Sequence, residues 1–330
     1  MKKIISIILA ITLMCTLCLT MTACNEQSAN TGNASQNGAK KYKIGICQLV
    51  THEALDAASE SFMQAIKDKL GEENVEFDYQ NAANDQNACT TIINSFVSNK
   101  VDLIMANATP ALQSAVNATL DIPILGTSIT EYGVALGIDN FNGTVGGNVS
   151  GTSDLADLKA QTDAMLELFP DAENIGLLYC SAEPNSEYQV KLVEEYLKSK
   201  GVTSKRYSFT DSNDVAVVTT TAATECDALY IPTDNTAASC SETIGNVVRN
   251  EKTPVFASEA GICRGCGIAT LTISYKDLGY KTGEMAVKIL TGEADISTMP
   301  IEYAEASKFY NEDMCKEFGI NPPAEYKPLS

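Results

Sequence analysis

The residues of this 330-residue chain that could do covalent chemistry are few, and their spacing does not suit it. A single histidine, His52, would have to serve any imidazole-dependent step. No G-x-S-x-G elbow, Walker loop or H-E-x-x-H pair occurs, and no G-x-G-x-x-G follows the first apolar run. Gly143-Thr-Val-Gly-Gly147 lacks the lysine that a phosphate loop needs and reads as a turn. Among the cysteines beyond Cys24, Cys263-Arg-Gly-Cys266 is the one pair with metal or redox spacing. A zinc site wants further ligands, and His52 is far away in sequence, so free thiols or a local disulfide are expected ahead of a metal. Catalysis therefore finds no support, and neither a metal nor a cofactor is expected.

What the chain does offer is polar side chains where apolar runs end. These stretches are Gln48 to His52, Asn107-Ala-Thr-Pro110, Thr127-Ser128, Gly151-Thr-Ser-Asp154, Cys180 to Asn185, Thr233-Asp-Asn-Thr236 and Ser258-Glu259. They are rich in Thr, Ser, Asn and Asp and poor in Lys and Arg. Such residues cap helices, and they also hydrogen-bond small polar ligands; either use fits any one of them. His52 likewise reads as a packing residue at a helix start or as a polar wall of a site. Arg264 is a possible anion contact or a solvated side chain. With 23 Lys+Arg against 42 Asp+Glu, the net charge of −19 argues against nucleic acid as a partner.

The elements that must position these residues repeat. Lys43-Ile-Gly-Ile-Cys47 is echoed by Asn174-Ile-Gly-Leu-Leu178, and Asn84-Asp85 by Asn213-Asp214. Val101-Asp-Leu-Ile-Met-Ala106 is echoed by Cys226-Asp-Ala-Leu-Tyr-Ile231, and Ile122-Pro-Ile-Leu125 by Thr253-Pro-Val-Phe256. Four signals in one order, about 125 to 131 positions apart, mark a duplication. Apolar runs alternating with amphipathic stretches predict α/β architecture: two similar open parallel-sheet lobes around a central ligand cleft, joined by a multi-strand hinge. Lobe one is expected over 42–152 with a returning segment at about 277–298. Lobe two is expected over 153–276 with a C-terminal segment at about 299–330. Ligands of such sheets sit at the carboxyl ends of strands, so the polar loops of both lobes would face one cleft.

The N-terminus sets the compartment. Lys2 and Lys3 precede an uncharged apolar run from Ile4 to Met21, which ends Met21-Thr22-Ala23-Cys24. This resembles a bacterial lipoprotein signal over 1–23, with Cys24 the lipidated residue (hence palmitate) and 24–41 a flexible tether. An uncleaved membrane anchor is the alternative. Both place the body outside the cytoplasm, at the cell membrane. Eight of the eleven cysteines lie beyond Cys24, mostly in apolar patterns where cysteine behaves as a small hydrophobe.

Over residues 42 to 305 the chain resembles the substrate-binding lipoproteins of ABC importers, tryptophan/tyrosine-type. The resemblance rests on Ile46-Cys-Gln48, His52-Glu-Ala-Leu-Asp56, Phe77-Asp-Tyr-Gln-Asn-Ala82 with Asp85-Gln86, Ala108-Thr-Pro-Ala111, Ser153-Asp154, Pro232-Thr-Asp-Asn235 and Asp277-Leu-Gly279. The stretch Glu259 to Gly267, with Gly-Ile-Cys-Arg-Gly-Cys, departs from a more ordinary loop. The resemblance implies a type I periplasmic-binding fold, permease and ATPase partners, and often an aromatic amino acid as ligand. For such a ligand, Thr109 and Thr127 would hold the carboxylate. Asp234, or alternatively Asp154, would face the ammonium. Gln48, His52, Ser153, Asn185, Asn235 and Glu259 would complete the site. A sugar, a nucleoside or a sensory role on the same fold is the rival expectation.

Overall fold

The duplication is visible in the strand order. The computed structural model describes residues 41–329, so the leader, Cys24 and the tether lie outside the described residues. In the first sheet β2 (Val75–Asn81), β1 (Tyr42–Gln48), β3 (Leu103–Asn107), β4 (Ile124–Ile129) and β5 (Val149–Ser153) are adjacent in that order, all parallel. In the second, β7 (Thr203–Phe209), β6 (Asn174–Cys180), β8 (Ala228–Ile231), β9 (Val255–Ala257) and β10 (Ala269–Ile273) repeat the order. Strand pairs of this kind are buried on both faces by their crossover helices, which is why β3, β4, β5 and β8 read as unbroken buried runs.

The echoed residues do equivalent work in the two lobes. Asp102 accepts the Lys43 N–H at 2.8 Å and returns its own N–H to Lys43 O at 2.7 Å. Asp227 does the same with Asn174, at 2.8 and 2.9 Å. Pro123 and Pro254 each offer a carbonyl to the next strand, to Ile104 and Leu229 N–H, both at 2.9 Å. The fourth echo diverges. Asp85 caps α2 (Gln86–Ser98) through the N–H groups of Asn87 and Ala88, whereas Asp214 makes no side-chain cap on its helix.

The chain passes between the lobes three times. After β5 it enters α5 (Leu158–Leu168), whose Gln161 donates to Leu271 O at 2.8 Å and accepts from Tyr230 Oη in the second lobe. After β10 it returns as α11 (Tyr275–Thr291), laid along α1 (Glu53–Leu70) of the first lobe. Glycine makes that approach possible: a Cβ at Gly279 would lie 2.1 Å from Ala58 O. The third passage runs from β11 (Glu302–Tyr303) to β12 (Ala306–Tyr310), which pairs antiparallel with β10 and parallel with β13 (Lys327–Pro328).

Two expected boundaries shift. The segment 299–330, assigned from sequence to the second lobe, is split. Met299 and Ile301 are buried in the first lobe, and β11 pairs with β5 there, covering an edge that would otherwise be open. Ser153 is still part of β5, so the first lobe extends beyond 152. The stretch holding Cys263 and Cys266 is not a loop but helix α10 (Ala260–Cys266). Both thiols are free and fully buried in the core of the second lobe. Among the described residues, no group of three His, Cys, Asp or Glu could hold a metal ion.

Candidate functional site

The carboxyl ends of both sheets meet across one cleft. From the first lobe, His52 stands at the start of α1, Ser128 and Thr130 at the end of β4, and Asp154 just after β5. From the second come Asn185 in the first turn of α6 (Pro184–Ser199), Thr233-Asp234-Asn235 after β8, and Glu259 after β9. Tyr275 adds its ring from the hinge, as the first residue of α11. The lobes are closed on one another. His52 Nε2 meets Asn235 Oδ1 at 3.3 Å, and Asn84 donates to Thr236 Oγ1 at 3.2 Å. Arg264 grips both oxygens of Glu53 at 2.8 and 2.9 Å. The free space left between them is about 10 Å³, close to that of one water molecule.

Four polar atoms around this space are buried without a hydrogen-bond partner: His52 Nδ1, Ser128 Oγ, Asp154 Oδ1 and Asn185 Oδ1. Leaving one such group unpaired costs about 1–3 kcal/mol, so four on residues lining one space mark it as a place for a polar molecule. Ser128 also holds a positive φ of 55°, a strained choice for a non-glycine residue. Asp154, Asp234 and Glu259 bring three carboxyl groups to the lining, and no Lys or Arg contributes to it. Burial pushes the Asp154 carboxyl up to about 6, against the pull of the hydrogen bond from Tyr275. Burial, with the neighbouring Glu183 charge, likewise raises Asp234 to about 8. Glu259 is raised mainly by burial, although two backbone N–H groups oppose it. The arrangement favours a ligand bearing positive charge.

The expected residues divide into two sets. His52, Asp154, Asn185, Asp234, Asn235 and Glu259 line the space. Gln48, Thr109, Thr127 and Ser153 do not; all four are buried within or beneath the first lobe. Gln48 donates to Asp56 at 2.6 Å and accepts from Ser59 at 2.7 Å, fixing the start of α1 against β1. Thr127 turns inward to Thr152 and Thr282, each at 3.2 Å, and Ser153 donates to Thr130 O at 2.9 Å. The register shift between Gly126 and Ile129 explains the change: the irregular strand end brings Ser128, not Thr127, to the cleft.

Asp234 lines the space with both carboxyl oxygens already hydrogen-bonded to the backbone. Its Oδ1 accepts Ala237 N–H at 2.7 Å and its Oδ2 accepts Cys180 N–H at 2.6 Å, so it caps α8 (Asn235–Ser239) and ties it to β6. Glu259 similarly caps α10 through Gly261 and Ile262 N–H. Asp154 is different, with Tyr275 Oη donating to Oδ2 at 2.8 Å and Oδ1 unpaired. Arg264 is neither an anion contact nor solvated alone; it is the interlobe partner of Glu53. Tyr275 and Glu183 carried no sequence signal beyond their places at a helix start and in a strand-end loop.

Comparison with known proteins agrees with this geometry. Residues 43–326 match the family described as ABC transporter substrate binding protein. A tyrosine-binding protein of Clostridioides difficile is 35% identical over 321 residues, 96% of this chain and 92% of that one. A Streptococcus pneumonia ABC domain solved in complex with L-Trp is 30% identical with TM-score 0.83, covering 88% of this chain and all of that one. The ligand-free, open structure of a Clostridium difficile substrate binding protein with adhesive properties is 38% identical, with a lower TM-score of 0.68 over 88% of this chain and 99% of that one. The better fit to the less identical, ligand-bound chain is what the closed lobes here predict. Family and fold are those of solute-binding proteins and not of enzymes, and this chain belongs to the ABC transporter substrate-binding protein family.

Proposed function

We propose that this protein captures an amino acid, aromatic ones foremost, by closing its two lobes around the ammonium group, and delivers it to an ABC permease. The observation that carries this reading is the ring of unpaired polar atoms at the cleft, Asp154 Oδ1 chief among them, in a site lined by carboxyl groups. The tyrosine-binding and L-Trp-bound relatives support the ligand class. Asp154, rather than Asp234, faces the ammonium, while Ser128 and Thr130 offer hydroxyl donors to the carboxylate. Satisfying groups from both lobes at once couples capture to closure, with the lobes standing further apart around the ligand than here, where about 10 Å³ is left between them. Lipidation at Cys24 would hold this body at the outer face of the membrane beside its permease, with 24–41 as the tether.

Calorimetry with tyrosine, tryptophan and phenylalanine against a panel of sugars and nucleosides tests the proposal. The chain contains no Trp, so bound tryptophan is also visible by its own fluorescence with little protein background. Heat and thermal stabilisation with at least one aromatic amino acid are expected. Binding of a sugar or nucleoside, with none of any amino acid, would overturn the ligand class.

A further inference from the structure

We infer that Glu183 is a positioning residue that sets the hydrogen-bond polarity of the cleft, fixing His52 and Asn185 as acceptors toward the ligand. Glu183 is buried in the second lobe and does not line the ligand space. Each of its oxygens receives a backbone N–H: Oε1 from Thr236 at 2.8 Å and Oε2 from Asn235 at 3.0 Å. Because a backbone N–H only donates, both oxygens are committed as acceptors. The Asn235 side chain then has one choice. Its Nδ2 donates to Glu183 Oε2 at 2.7 Å, which turns Oδ1 across the cleft to His52 Nε2 at 3.3 Å.

An amide oxygen only accepts, so Nε2 is the ring nitrogen that carries the proton. In the neutral ring, Nδ1 is left as a lone pair, buried and unpartnered at the ligand space. Asn185 is held the same way. Its Nδ2 donates to Thr233 O at 3.0 Å and to Glu183 at 3.3 Å, leaving Oδ1 unpaired at the same space. With Asp154 Oδ1, three acceptors face the ligand. An ammonium group has three N–H donors to match them. This inference rests on the amino-acid reading for the ligand, but the Glu183–Asn235–His52 chain is defined by protein atoms alone.

His52 is the only histidine of the chain, so selectively 15N-labelled imidazole gives one pair of ring-nitrogen signals. The full chain in detergent, saturated with tyrosine or tryptophan, should show a protonated Nε2 and a hydrogen-bonded, unprotonated Nδ1. Glu183→Gln puts an amide N–H among these donors and releases the Asn235 side chain. The Nδ1–H tautomer should then appear, and affinity should fall about tenfold. Asn235→Ala leaves Glu183 on both backbone N–H groups and should free the tautomer in the same way, even if Glu183→Gln folds poorly. A bound wild-type ring carrying its proton on Nδ1, or both folded variants keeping wild-type ring signals, would refute the inference. If no amino acid binds, the amino-acid reading fails, and the spectrum with whichever sugar or nucleoside does bind decides the relay by the same criteria.

Discussion

Replacing Asp154 by Asn should strengthen the fold and weaken binding together. The carboxyl is fully buried where the chain leaves β5, with Tyr275 Oη on one oxygen and nothing on the other. Burial lifts it from its ordinary 3.8 to about 6. A rise of that size corresponds to about 3 kcal/mol of folding free energy withheld by the ionised group. For a carboxyl raised on folding, the penalty is absent below about pH 4, grows between pH 4 and 6, and is complete above 6. Asn keeps an oxygen for Tyr275 but carries a desolvation cost of its own, so the gain at pH 7.5 should be about 1–3 kcal/mol. At pH 4 the two proteins should unfold at nearly the same urea concentration. Binding moves the opposite way. Loss of a hydrogen bond to charge, about 1.5–3 kcal/mol, weakens the affinity for an amino acid about ten- to a hundredfold in calorimetry at pH 7.5. Wild-type affinity should itself decline as pH falls through 6, because protonated Asp154 no longer attracts an ammonium. His52, Glu259 and Tyr275 also face this group, so the slope belonging to Asp154 is the part that Asp154→Asn abolishes. A variant that is less stable at pH 7.5, or that binds as tightly as wild type, would refute the assignment.

Arg264→Gln removes the cross-lobe grip on Glu53. Both side chains are nearly half exposed, so the pair contributes about 0.2–1 kcal/mol, and tryptophan release in stopped flow should accelerate up to about fivefold. Half-molar salt should erase most of the difference, and a salt-independent effect would contradict an ionic latch. Cys263→Ser should cost about 1–3 kcal/mol in urea unfolding, because its hydroxyl enters a closed core. Cys266→Ser should cost less, since the Cys266 thiol already donates to Ile262 O and a hydroxyl can do the same. Cys24→Ala should move the protein from the membrane fraction to the medium; continued membrane retention would favour an uncleaved anchor.

The sequence by itself determined the architecture. The alternation of strands and helices, the lobe duplication and the placing of polar loops at strand ends follow from local patterns, and the repeated Asp102 and Asp227 even make the same backbone bonds. Six of the ten expected site residues reach the cleft for the same reason. What only the tertiary structure decided is which polar atoms remain unpaired. Asp154 and Asp234 are alike in sequence terms, each just beyond a strand. Two backbone N–H groups occupy one site on each oxygen of Asp234, and a hinge tyrosine 121 positions away takes one oxygen of Asp154 and leaves the other open. Thr127 and Ser128 are neighbours, yet an irregular strand end selects the second. Periodicity reports which face is buried, but not which hydrogen bonds fill it. Those depend on donors and acceptors brought together from distant residues, Asn235 on Glu183 within one lobe and His52 on Asn235 across the closed lobes.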